Sequence, residues 1–138
     1  MLARALFALA LLCWPAGLGF AEEPKVLALG LADHAVTKEE LEKGTALAVP
    51  RFNSPGVAYV LVGGLAKGDE VEIALVKDGQ ALMHNTATAQ DAAPLLLQAG
   101  KGGVPAGGWP EGQYSAAVKV LRRGEPILSQ SSEPKPFE

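Results

Sequence analysis

Cysteine is all but absent from this chain: there is one, Cys13, in 138 residues. A lone thiol excludes an internal disulfide framework, so any small folded domain here must be held by its apolar core. Aromatic residues are scarce as well, at 6 %, with 2 Trp, 2 Tyr and 4 Phe. Positive charge is not in excess, since 12 Lys and Arg stand against 15 Asp and Glu for a net −3. Without a basic cluster the chain lacks the electrostatic footprint of nucleic-acid binding. It also lacks the polybasic stretch that holds proteins on anionic membranes. No apolar run approaches the roughly 20 residues that a membrane-crossing helix needs.

What is present at the start is a leader pattern. In "MLARALFALALLCWPAGLGFA", Arg4 precedes an apolar run from Ala5 to Trp14, Pro15 and Gly17 break it, and Gly19-Phe20-Ala21 supplies small residues at a cleavage site. The expectation is a signal peptide over residues 1–21, cleaved after Ala21, and one exported domain over 22–138, periplasmic or secreted. Cys13 directly follows Leu11 and Leu12, and a Leu before the cysteine fits a lipid-modified cysteine poorly. It leaves with the leader, and no transmembrane segment remains after cleavage.

The rest reads as strands and turns. "VLALGLAD" from Val26 is a first strand, with Leu27, Leu29 and Leu31 on one face at period two. Thr37 caps a helix of one or two turns, Glu40 completes a capping box, and Gly44 stops it. Leu47, Val49 and Phe52 suit a short edge strand, with Pro50 and Pro55 confining it to the edge. Val57 to Gly64 is apolar on both faces and so central. Val71, Ile73 and Leu75 alternate with Glu70 and Glu72, Asp78-Gly79 is a hairpin turn, and Ala81 to Thr88 returns. Leu95 to Gln98 is a further strand inside a Gly- and Pro-rich connection. Tyr114, Ala116, Val118 and Val120 then share one face, Arg123-Gly124 turns the chain, Ile127 to Ser132 is the last strand, and Phe137 pins the end. These elements predict an all-β fold, an antiparallel β-sandwich of about seven short strands with at most one short helix.

The segment "WPEGQYSAAVKV" resembles the late-strand corner of immunoglobulin-like and fibronectin type III-like domains. There a Pro-Gly turn leads into a strand whose early Tyr bonds back to the backbone. The paired cysteines and mid-chain Trp of antibody domains are missing. The resemblance is therefore to bacterial exported Ig-like domains as a broad class. It implies that Tyr114 is buried with its hydroxyl satisfied, and that Gly112 takes a positive φ.

Catalytic equipment is thin. Ser54 and Ser115 lack the setting of a nucleophile elbow, and no G-x-S-x-G occurs. Glu39, Glu40 and Glu42 read as a solvated helical face, and Asp69, Glu70 and Glu72 as a turn and the outer face of a strand. "AGKGGVPAGG" does not follow the phosphate-loop order and opens no helix. The expectation is a protein that is not an enzyme and has no cofactor. It would be a binding or structural module of the cell envelope that engages a protein partner through the loop from Gly100 to Trp109 or through an edge strand. Trp109, Lys101 and Tyr59 are the candidate contact residues. Two alternatives stand beside it. One is a glycan-binding module that stacks sugar on Trp109 or Tyr59. The other is a periplasmic copper- or metal-handling protein built on His34, Met83 and His84, although Met83 and His84, adjacent on a strand, point to opposite faces. Trp109 itself has two readings, as a surface platform or as a cap that closes the end of the sandwich.

Overall fold

The computed structural model describes residues 23–138, and the leader and its cleavage point lie outside the described residues. Strand β1 (Lys25–Ala32) leads to α1 (Lys38–Glu42). There follow β2 (Gly56–Gly63), β3 (Glu70–Lys77), β4 (Gln80–Thr88), β5 (Leu95–Lys101), β6 (Gln113–Arg122), β7 (Glu125–Ser131) and a two-residue β8 (Lys135–Pro136). These form two antiparallel sheets. One has the order β1-β2-β5; the other has the order β4-β3-β6-β7, with β8 also pairing β6. The expected sandwich is present, with eight strands where about seven were counted.

Residue chemistry explains the element positions. β2 runs between β1 and β5, with Val60 opposite both Leu29 and Leu97, and its apolar residues serve both faces. Ala58, Val60 and Val62 point to the other sheet and meet Val71, Ile73 and Leu75 from β3 and Ala116, Val118 and Val120 from β6. The hairpins turn where both central residues accept positive φ: Asp78 (+50°) with Gly79 (+84°), and Arg123 (+54°) with Gly124 (+82°). That is the primed turn whose twist matches the flanking strands. α1 carries the capping box, with Thr37 accepting from Glu40 N–H, and Gly44 ends it at φ +71°.

Two local expectations need correction. Leu27 does not share the inward face of Leu29 and Leu31; it is 51 % exposed. A bulge between Val26 and Ala28 adds a residue there, and the extra residue loses the period-two alternation. Residues 45–55 form no strand. The turn at 51–54 uses its own bonds instead, with Ser54 Oγ accepting from Arg51 N–H at 2.9 Å.

The corner is built as its residues suggest. Tyr114 is fully buried and its hydroxyl donates to the carbonyl of Pro110. Phe137 stacks on it at 3.9 Å between ring centroids, 7° from parallel. Trp109 meets both rings edge-on, at 5.9 Å and 5.5 Å. Gly112 has φ +157°, and a Cβ there would lie 2.8 Å from Asp78 Oδ2.

Truncating a fully buried aromatic costs about 3–5 kcal/mol, so Tyr114→Ala is expected to unfold at much lower urea than the parent. Tyr114→Phe keeps the ring and loses one hydrogen bond, for about 1 kcal/mol. Lys119→Ala, on the outer face, stays within about 0.5 kcal/mol. Urea melts of the three variants check that order.

Candidate functional site

The two outer faces of the sandwich differ in chemistry. On the five-stranded sheet, Glu72 of β3 lies directly between Thr86 of β4 and Lys119 of β6, and Glu70 faces Thr88. This is the polar, charge-bearing surface that half-buried sheets present to water. On the three-stranded sheet the outward positions are Ala28, Gly30 and Ala32 on β1, Val57, Tyr59, Leu61 and Gly63 on β2, and Leu96, Gln98 and Gly100 on β5. Besides the Tyr59 hydroxyl, Gln98 is the one polar side chain among them, and exposed Lys25 stands opposite Gly63 at the rim. The bulged Leu27 lies over Gly63, with its Cδ1 3.1 Å from where a Cβ would stand. Tyr59 lies across Gly30 in the same way, its hydroxyl 2.9 Å from the corresponding point. Gly at both places lets a large side chain lie flat on the sheet. Leu27 is half exposed, Tyr59 and Leu96 are partly exposed, and Leu61 beneath them is buried. Partial burial pushes the Tyr59 phenol pKa above its usual value.

One end of this face is covered. Ala32 and Val57 point outward yet are 0 % and 6 % exposed. The chain leaving β1 folds back here. Gln98 accepts from Val36 N–H at 2.7 Å and donates to Val36 C=O at 2.8 Å, and Val36 is itself buried. Beside it, His34 is held between two carboxylates: Nδ1 lies 2.8 Å from Asp33 Oδ1, and Nε2 lies 2.8 Å from Glu40 Oε2. Glu40 Oε1 meanwhile accepts from Thr37 N–H at 2.9 Å. The hydrogen bonds to Asp33 and then Glu40 raise the His34 pKa. Glu40 is lowered, first by the Thr37 backbone bond and then by His34.

The residues singled out from the sequence fall in different places. Trp109 is 6 % exposed. Its Nε1 donates to Ser54 C=O at 2.7 Å, and its ring lies against Gly56. It caps the end of the sandwich, and its ring is not on the surface. Lys101 is exposed at the end of β5, paired with Gly56, whereas Tyr59 sits in the middle of the apolar face, paired with Gln98. The loop between Lys101 and Trp109 is tethered by Trp109 N–H to Phe52 C=O at 2.8 Å, and it presents Val104, 46 % exposed. Met83 packs towards the core opposite Leu75. His84 is exposed on the outer face of the five-stranded sheet, opposite Ala74. His34 belongs to the other sheet, so the three are not brought together. Among the described residues no group of three His, Cys, Asp or Glu is placed to hold a metal ion.

Asp69 is a residue that the sequence pattern misassigned. Read as a surface turn, it is 2 % exposed. Arg122 grips it from the end of β6 with Nε to Oδ1 at 2.9 Å and Nη2 to Oδ2 at 2.8 Å, and Ala66 N–H donates to Oδ2 at 2.8 Å. These bonds hold the Asp69 carboxyl below its usual range, the Arg122 guanidinium chiefly. The "KGD" turn between Gly63 and Glu70 thus closes over a fork-shaped ion pair.

Scanned against protein-family models the chain matches none, and no curated protein is a significant match to it.

The ion pair generates a test. Arg122→Met leaves a buried carboxylate without its partner and costs about 3–5 kcal/mol at neutral pH. A carboxyl whose folded pKa is depressed contributes above its unfolded pKa and loses that contribution as pH falls through the folded value. The gap between parent and Arg122→Met therefore closes on acidification from the ordinary Asp range downward. Chemical denaturation across acid pH measures it.

Proposed function

We propose that this chain is a non-catalytic, Ig-like binding module exported to the bacterial cell envelope, and that it engages a protein partner through the outer face of its three-stranded sheet. The observation that carries the reading is the contrast between the faces. Soluble sandwiches solvate their outer faces, as the β4-β3-β6-β7 sheet does along its middle with Glu70, Glu72 and Lys119, its exposed Leu82 and Ile127 being confined to the edge strands β4 and β7. The other face instead offers Leu27, Tyr59 and Leu96 to solvent, and contiguous exposed apolar surface is the usual mark of an interaction site. The Ig-like part is supported by the strand orders and by Tyr114 bonding back to Pro110. Export is supported by the leader pattern from Arg4 to Ala21. A non-catalytic role is supported by the reactive groups having structural employment: His34 is between carboxylates, Asp69 is gripped by Arg122, and Ser54 Oγ bonds its own turn.

The test places a photo-crosslinking residue at position 27, and separately at position 119 on the polar face, in the producing cell. Position 27 is expected to give one discrete adduct and position 119 none. Adding Leu96→Glu, with circular dichroism to confirm folding, is expected to abolish the adduct. Equal labelling from both positions, or an adduct indifferent to Leu96→Glu, overturns the assignment of the face. An adduct that is carbohydrate rather than protein would transfer the face to the glycan-binding alternative, with Tyr59 as its stacking ring.

A further inference from the structure

His34 cannot satisfy both its partners when uncharged. A neutral imidazole has one N–H and one bare lone pair, and carboxylates only accept. Two 2.8 Å contacts to Asp33 and Glu40 therefore require the imidazolium. These two carboxylates, one at the end of β1 and one on α1, are the charged groups acting on the ring.

The two contacts are not equivalent. Asp33 is the adjacent residue, so its bond needs no loop order to persist. The bond to Glu40 joins the end of β1 to α1 across six positions, and it closes the segment onto itself. Glu40 has a second partner in Thr37 N–H, so its charge stays solvated and hydrogen-bonded without the histidine. When the ring loses a proton, the Glu40 contact is the one whose loss costs less.

We propose that residues 33–44 form a proton-sensitive strap over one end of the apolar face, latched by protonated His34 bridging Asp33 and Glu40 and loosened when His34 becomes neutral. The strap has a second, pH-indifferent tether, the Gln98 amide bonded to both Val36 backbone groups. Loosening therefore swings the α1 end more than the Val36 end. Its opening frees α1 at the margin of the patch formed by Leu27, Tyr59 and Leu96, while Val36 stays seated on Gln98. That consequence rests on the reading of the face given above, whereas the latch rests on its own hydrogen bonds.

The sign follows from linkage. A histidine whose folded pKa is raised contributes fully below its unfolded pKa, and that contribution disappears as pH rises through the folded value. The strap is closed in mild acid and loosens towards alkaline pH, in the range where histidine serves as a switch.

Amide hydrogen exchange with no partner present reads the strap alone. Rates for Thr37, Glu40 and Leu41, each divided by the intrinsic rate at that pH, are compared at about pH 5.5 and about pH 8. Wild type is expected to lose protection several-fold at the higher pH while β3 amides do not change. His34→Arg, a permanent cation, is expected to stay protected at both, and His34→Gln to be weakly protected at both. Ring nitrogen shifts at high pH are expected to place the remaining proton on Nδ1, facing Asp33. Wild type following His34→Arg throughout, or the proton remaining on Nε2, overturns the latch. Either result leaves the crosslinking test of the face untouched.

Discussion

The junction of Trp109, Tyr114 and Phe137 is the contact on which the end of the sandwich depends. A two-sheet fold without disulfides is weakest where its sheets splay, because side chains there have core on one side and water on the other. Here three rings from separate segments fill that opening: one from the loop before β6, one from β6 itself and one from the C-terminal tail. Each ring also organises backbone. The Trp109 indole donates to Ser54, the Tyr114 hydroxyl donates to Pro110, and the tail that carries Phe137 ends with Glu138 accepting from Phe52 N–H. Residues 51–55 and 105–110 lack regular structure, yet they are fixed because they wrap around these rings. Only Gly at position 56 leaves room, since a Cβ there would sit 2.8 Å from the Trp109 ring.

Much of this was legible in the chain because the signals are local. Period-two apolar residues in β3 and β6, Asp78-Gly79 and Arg123-Gly124 at the turns, and the Thr37–Glu40 capping box each draw on neighbours within a few positions. The misreadings come from partners distant in sequence. Asp69 resembles any turn aspartate until Arg122, 53 positions later, closes on it. Leu27 looks inward until a bulge, invisible in composition, shifts it by one. Glu40 reads as one of several solvated carboxylates, and only the return of the chain past the end of β1 makes it a histidine ligand.

The candidate site was harder to read for a further reason. It consists of no motif. Tyr59 was noticed, but Leu27 and Leu96 are ordinary aliphatic residues that any strand could bury. Their meaning comes from register, since Leu96 and Ala28 both pair with Leu61 and Tyr59 pairs with Gly30. A face is a property of three strands at once, whereas periodicity describes one strand at a time. The continuous apolar reading of Val57 to Gly64 correctly implied a central, well-buried strand with both faces apolar, and within β2 only Tyr59 is partly exposed. In the three-stranded sheet one of those faces is the outside.

The way the sheet edges are treated bears on why that face is apolar. Unpaired edges invite other strands, and this chain guards its edges. β7 and β8 contain Pro126 and Pro136, which cannot donate to an added strand. β1 is bulged beside Leu27. The edges of β4 and β5 are tied across the sandwich by Asn85 Nδ2 donating to Gln98 C=O at 3.0 Å. A chain protected in this way against indiscriminate strand addition still leaves Leu27, Tyr59 and Leu96 facing outward. Core packing does not require Leu27 there, because Val26 and Leu29 already contact the core from β1. Leu27 is therefore separable from the core. That separability is what a binding surface needs, since its side chains can be chosen for a partner without changing the sandwich beneath.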